Sequence, residues 1–144
     1  MICVQVVNAH PKDRVHRQET VRLVQCVFRG ETRKRADVNI VFIHDRRMVK
    51  LHEKYLHQRS TTDVLSFPLH DADSASIEGE VYVNLDQARR QARSYKVTHK
   101  NEIARLVIHG TLHLLGYEDS TVRKKAVMTR CENHYLTKMK YNVR

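Results

Sequence analysis

The chain has 144 residues, 41% of them hydrophobic, with only 4 Gly and 2 Pro, which suits one domain around one core and excludes long disordered stretches. Its 26 Lys and Arg outnumber 16 Asp and Glu, and the field of the resulting formal charge of +10 attracts polyanions. No apolar run approaches the roughly 20 residues of a membrane-spanning helix, so no membrane partner is expected.

Ile2–Val7 (ICVQVV) is a β-branched run that reads as a strand, ended by Asn8 and Pro11. This N-terminal stretch lacks the basic and long apolar regions of a signal peptide. Val15–Arg29 carries Val21, Val24 and Phe28 at helical spacing. Val38–Ile43 (VNIVFI) reads as a largely buried strand, after which Asp45 can cap a helix over Met48, Leu51, Tyr55 and Leu56. Thr62–Phe67 is a short strand stopped by Pro68. Residues 69–78 (LHDADSASIE) read as a polar, mobile loop, with Asp71–Asp73 as solvated surface. Val81–Leu85 is a strand and Asp86–Tyr95 a basic helix. Thr98 opens a long helix through Glu102, Leu106 and His109 to Leu115, and Ser120 or Thr121 caps a last helix to about Lys140. The order β-α-β-α-β-β-α-α-α predicts an α+β fold. A single domain over residues 1–144 is expected, with a small mixed sheet packed by helices and a central helix carrying His109 and His113.

Cys3, Cys26 and Cys131 are odd in number, widely spaced and set among apolar residues. They read as buried free thiols of a reducing, intracellular compartment. Basic residues cluster in Arg29–Arg35, Arg89–Arg93, Arg123–Lys125 and Lys138–Arg144. Any one cluster is accounted for by a solvated helix face. Four in so small a domain favour a nucleic-acid partner, although charge does not separate RNA from DNA, and no bZIP, C2H2 or RNP signature is present.

The most specific stretch is HGTLHLLGYEDS, residues 109–120. With 10 His in the chain, chance yields roughly 0.7 pairs at a spacing of four, so the spacing of His109 and His113 alone decides nothing. Context adds more. Residues four apart share one helix face, and these two stand among Leu106, Ile108, Leu112, Leu114 and Leu115. Two adjacent imidazoles in apolar surroundings each need a partner, and a shared metal ion supplies one to both. Gly116 can reverse the chain and return Asp119 to them. Three ligands with an open position is the arrangement of a catalytic rather than a structural zinc site. Core histidines satisfied by other groups are the alternative.

This stretch resembles the hallmark H-G-x-L-H-L-x-G-Y-D-H of the YbeY endoribonuclease family, matched at His109, Gly110, Leu112, His113, Leu114, Gly116 and Tyr117. A second stretch, Thr62-Asp63-Val64-Leu65-Ser66-Phe67-Pro68, is similar to the family's T-[DN]-V-L-S-F-P strand, and Gly79-Glu80-Val81 to the start of its next strand. The resemblance implies a metal-dependent endoribonuclease specific for single-stranded RNA, in the bacterial cytoplasm, acting in ribosomal RNA maturation and ribosome quality control. The ribosomal subunit would be a partner and DNA would not. One Zn2+ per chain, or another divalent transition metal, would be held by His109, His113 and Asp119. The ligand helix would form one wall of a cleft and Val64–Phe67 the other. Arg89, Arg90 and Arg93 are the candidate RNA-binding side chains, and Tyr117 or Phe67 could stack a base, with core packing the expected role of Phe67. No catalytic residue beyond the metal ligands is assigned.

Two departures stand out. Asp119 replaces the family's third histidine, a change that zinc tolerates because carboxylate oxygen binds at a similar distance. Leu56 follows Tyr55 where some members carry an arginine implicated in activity, and Arg59 lies one turn later. Other chemistries fit less well. A metalloprotease of the H-E-x-x-H type needs a glutamate where Gly110 stands. A two-His-one-carboxylate iron oxygenase matches in ligand identity but lacks a cosubstrate motif. A metal-stabilised RNA- or ribosome-binding assembly factor with little catalysis of its own is the alternative of a different class.

Overall fold

The computed structural model describes residues 1–144. The elements follow the expected order: β1 (Ile2–Asn8), α1 (Arg17–Glu31), β2 (Arg35–Ile43), α2 (Asp45–Leu56), β3 (Val64–Pro68), β4 (Ser76–Asn84), α3 (Leu85–Tyr95), α4 (His99–Leu114) and α5 (Val122–Lys138). The strands form one mixed sheet in the order β1-β2-β4-β3, in which β1, β2 and β4 run parallel and β3 is antiparallel to β4. The α+β architecture is as the pattern of elements predicts. No helix is long and apolar enough to cross a membrane.

Side chains alternate across a strand, so each strand has one face for the core. Ala36, Val38, Ile40 and Phe42 of β2 and Ile77, Val81 and Val83 of β4 are buried, while Asp37 and Glu78 between them are exposed. These buried residues share one core with Leu23, Val24, Val27 and Phe28 of α1 and Leu106, Val107, Ile108 and Leu112 of α4. Helices α3 and α5 then pack on the flanks of α4. Enclosure on several sides explains why α4 is apolar almost all round, and why its buried polar residues Glu102, Arg105 and Thr111 need partners. Gly110 lets α4 lie directly on the sheet. A Cβ there would overlap Val81 Cγ1 and stand 3.0 Å from Val64 Cγ2.

Several expectations are corrected. Strand β4 begins at Ser76, so only residues 69–75 form the loop. Ile77, Gly79, Val81 and Val83 are the inward set, and a side chain at Gly79 would press on Leu114 Cδ2 at 2.7 Å and Phe67 O at 2.8 Å. A glycine that serves a close approach reads in sequence as a break. The cap of α2 is His44, whose Nδ1 accepts the Arg47 N–H at 3.1 Å. Asp45 does not cap because Arg90, Asn84 and Thr61 all donate to its carboxylate. The three cysteines are free but none is fully buried. Cys3 is exposed because it alternates with Val4 on the outer face of an edge strand.

Candidate metal centre

Helix α4 ends in a turn that its own sequence dictates. Gly116 takes φ +98, a backbone conformation that disfavours side chains. Its N–H donates to His113 O at 3.0 Å, and the Tyr117 N–H donates to Leu112 O at 3.1 Å. This pair of bonds is the Schellman pattern, and it brings residues 117–119 back over the last turn of the helix. The Tyr117 phenol donates to Glu31 Oε1 of α1, and Tyr135 of α5 donates to Glu31 Oε2 at 2.5 Å. The bond to Glu31 raises the pKa of Tyr117 above the ordinary phenol value, and burial does the same for Tyr135.

The turn delivers Asp119 to the two histidines. His109 Nε2 and His113 Nε2 are 3.1 Å apart, and Asp119 Oδ2 lies 3.3 Å from the first and 3.6 Å from the second. Three ligands at about 2.05 Å from a tetrahedral ion would be separated by about 3.3 Å, so the spacing fits. The tautomers fit as well. His113 Nδ1 is 2.9 Å from the Tyr117 carbonyl, which only accepts, so Nδ1 carries the proton. His109 Nδ1 is 2.7 Å from Glu132 Oε2 and donates to that carboxylate. In the neutral rings, two Nε2 lone pairs and a carboxylate oxygen thus converge on one point. That arrangement is repulsive without a cation. A nitrogen-nitrogen-oxygen donor set suits zinc and other divalent transition metals.

Glu132 is anchored in turn. Its Oε1 accepts from Arg105 Nη1 at 2.8 Å, with both side chains over 90% buried. Arg105 Nη2 also donates to Asn133 Oδ1 at 2.7 Å. Burial opposes the charged form of His109, but Glu132, Asp63 and Asp119 outweigh it and raise its pKa above the usual value. The carboxylates that favour a proton there also favour a metal ion, so the two compete.

A cavity of about 230 Å³ opens on His109 and Asp119. Its far wall is α5, through Lys125, Met128, Thr129 and Glu132, and the end of α3, through Gln91 and Tyr95. Strand β3 does not form that wall. Ser66 Oγ donates to Gly110 O at 2.9 Å, so β3 packs onto α4, and only Asp63, just before the strand, reaches the cavity. A larger cavity of about 440 Å³ between α1 and the start of α4 contains no member of the triad.

His10, Asp13 and Asp86 also bring ligand-type atoms together. Here His10 Nδ1 accepts from the backbone N–H of Lys12 and Asp13, so Nε2 holds the proton and donates to Asp86 Oδ1 at 2.8 Å. No imidazole lone pair remains for a metal. The cluster instead ties residues 10–13 to the start of α3.

The other candidate residues divide by their partners. Arg89 lies 2.8 Å from Asp13 Oδ2, and Arg90 donates to both oxygens of Asp45 at 2.7 and 2.9 Å. Arg93 is exposed and makes no ion pair. Arg59 is 88% exposed, near only Glu53 at 3.7 Å, and it does not line the cavity. Phe67 packs between Tyr55 and Tyr82, at 5.2 and 5.7 Å between ring centroids. Tyr117 is held by Glu31 rather than presented to solvent. Sequence reasoning missed Glu132, Arg105 and Glu31. The available signal was a charged residue inside an apolar helical stripe, as with Arg105 beside Leu106.

The sequence profile described as Endoribonuclease YbeY matches residues 5–140. The chain belongs to this family. Among proteins named Endoribonuclease YbeY, that of Chloroherpeton thalassium is 33% identical over 131 residues, covering 91% of this chain and 92% of the relative. The protein of Thermodesulfovibrio yellowstonii is 31% identical, covering 96% of this chain and 98% of its own. The solution structure of TM1509 from Thermotoga maritima superimposes with a TM-score of 0.65 at 22% identity, over 95% of this chain and 91% of that one, and so shares the fold. The YbeY match spans both sequence motifs and every element of the sheet except the first residues of β1.

Proposed function

We propose that this YbeY-family protein is a metal-dependent endoribonuclease of the bacterial cytoplasm. It cleaves single-stranded RNA, ribosomal RNA in particular, with the ribosomal subunit as partner. One zinc ion, or another divalent transition ion, is held by His109, His113 and Asp119. The observation that carries this reading is the convergence of two Nε2 lone pairs and a carboxylate oxygen at a cavity, in a chain of this family.

When bound, the ion supplies Lewis acidity toward a phosphoryl oxygen or a water molecule. The protein's own groups hold that site in place. Glu132 and the Tyr117 carbonyl fix the two imidazoles in the tautomer whose Nε2 is free. Arg105 fixes Glu132. The net charge of +10 draws the polyanion toward the surface. Arg89, Arg90 and Arg93 add to that field, and Arg93 contributes most because Asp13 and Asp45 neutralise the other two. A cavity of about 230 Å³ excludes a duplex and admits part of a single strand.

The test uses purified, metal-loaded protein on single-stranded RNA, with and without chelator. Internal cleavage that chelator abolishes, that metal restores, and that His113→Ala lacks together with the metal is the expected result. A protein that holds one metal per chain and binds RNA without cutting it would instead be an assembly factor.

A further inference from the structure

RNA held at the triad brings negative charge into a cavity that already contains Asp63, Asp119 and Glu132. The metal ion held by the triad would offset part of that charge, and a free cationic side chain facing the cavity would offset more. Three cationic side chains line the cavity: Arg105, Lys125 and Arg144. Arg105 is committed to Glu132 and Asn133. Arg144 donates to the buried carboxylate of Glu102 at 2.5 Å, and its guanidinium lies 3.6 Å from the centroid of the Tyr95 ring. Lys125 is exposed and has no carboxylate partner. Its neighbour Lys124 is taken by Glu118 at 2.5 Å, and Asp119 turns its Oδ2 to the imidazoles.

On the endoribonuclease reading, we propose that Lys125 binds a phosphate of the substrate strand beside the metal ligands, with the Thr129 hydroxyl as a second donor. It takes the part for which Leu56 and Arg59 are unsuited. Helical geometry supports the placement. Lys125, Thr129 and Glu132 are spaced by four and then three residues, so they form one stripe of α5. Glu132, at one end, holds His109, and all three residues line the cavity. Val122, the first residue of α5, follows Asp119 by three positions, so the turn that supplies Asp119 also sets Lys125 at the cavity mouth. Among Arg123, Lys124 and Lys125, only the last lines the cavity. A lysine is suited to this task as a mobile point charge that follows a flexible backbone.

The test compares metal-loaded wild type with Lys125→Ala, Lys125→Arg and Arg130→Ala, the last an exposed cation on the same helix but outside the cavity and outside the basic clusters. Cleavage of a single-stranded RNA is measured as kcat/KM over a range of salt, and metal affinity by chelator competition. Lys125→Ala is expected to lower kcat/KM about tenfold, the loss of one charge-assisted hydrogen bond. The slope of log kcat/KM against log salt should also become shallower by about 0.7, the share of one phosphate contact on a single strand. Lys125→Arg should restore most of both. Metal affinity should be unchanged in all three variants, and Arg130→Ala should stay within about twofold of wild type. Wild-type rate and salt slope in Lys125→Ala would overturn the assignment while leaving the endoribonuclease reading intact. Loss of metal in that variant would also overturn it, since Lys125 would then support the ligands. A wild-type protein that holds metal but cleaves no RNA would overturn both.

Discussion

Glu132→Gln isolates the role of a residue that touches neither metal nor substrate. The carboxylate accepts from His109 Nδ1 at 2.7 Å and from Arg105 Nη1 at 2.8 Å, and its side chain is 8% exposed. Glutamine keeps the shape but replaces one acceptor by a donor, so it cannot accept from both neighbours at once. If its oxygen stays on Arg105, its NH2 faces His109 Nδ1. The ring then moves its proton to Nε2 and blocks the metal's lone pair. If the oxygen turns to His109, Arg105 is left buried without a carboxylate, and the metal-free protein loses about 3 kcal/mol. Loss of such a carboxylate behind a ligand costs about 10- to 100-fold in metal affinity. At metal concentrations about 100 times the wild-type Kd, binding stabilises the wild type by about 2.7 kcal/mol; the gain falls to about 1.4 for a tenfold weaker site and about 0.4 for a hundredfold weaker one. Urea unfolding of both proteins with and without that metal concentration measures the difference directly. An equal metal-induced gain in the two would refute the orienting role of Glu132, whatever happened to the metal-free stability.

Two further outcomes test the fold beneath the site. Gly110→Ala places a methyl group against Val81 Cγ1, Val64 Cγ2 and Ser66 Oγ, and should lower stability by about 1–3 kcal/mol through overpacking, read as a lower urea midpoint. An unchanged midpoint would mean that α4 does not lie on β3 and β4 as described. Asp45 is held down to about 2 by the hydrogen bond from Arg90, with Asn84 and Thr61 assisting against the cost of burial. Because its folded pKa is depressed below the ordinary value of 3.8, its contribution is complete above that value and disappears as pH falls toward about 2. Its side chain is 38% exposed, so solvent screening limits the effect to about 1 kcal/mol. Stability measured from neutral to acid pH should show this limb in wild type and lack it in Asp45→Asn. Parallel profiles would place the titration elsewhere.

The parts of the fold legible in the sequence were those written in local chemistry. Thr98 and Thr121 accept the N–H groups at the starts of α4 and α5 as their residue types suggest. Gly116 reverses the chain at the end of α4, and with it the His109, His113 and Asp119 set could be assembled on paper, because all three lie within one helix end and its turn. Short-range spacing and helix geometry specify such a cluster. The beginning of β4 was not legible, because Gly79 and the acidic residues around it resemble a loop until β2 and β3 pair with them from either side. Cys3 reads as buried for a related reason: apolar neighbours do not tell an edge strand from a central one.

Sequence by itself determined the order of elements, the positive charge, the candidate ligand set and the family, all of which rest on composition, periodicity or contiguous motifs. Tertiary structure alone decided which charges remain free to act. Arg89 and Arg90 look like one basic run, yet each finds an acid far away in the chain, at Asp13 and Asp45. Glu132 looks like an ordinary helix-surface residue, yet the packing of α5 on α4 buries it against Arg105 and makes it hold His109. A charge's function depends on its nearest counter-charge and its exposure to water. Both are set by contacts between segments distant in sequence, which no local pattern records.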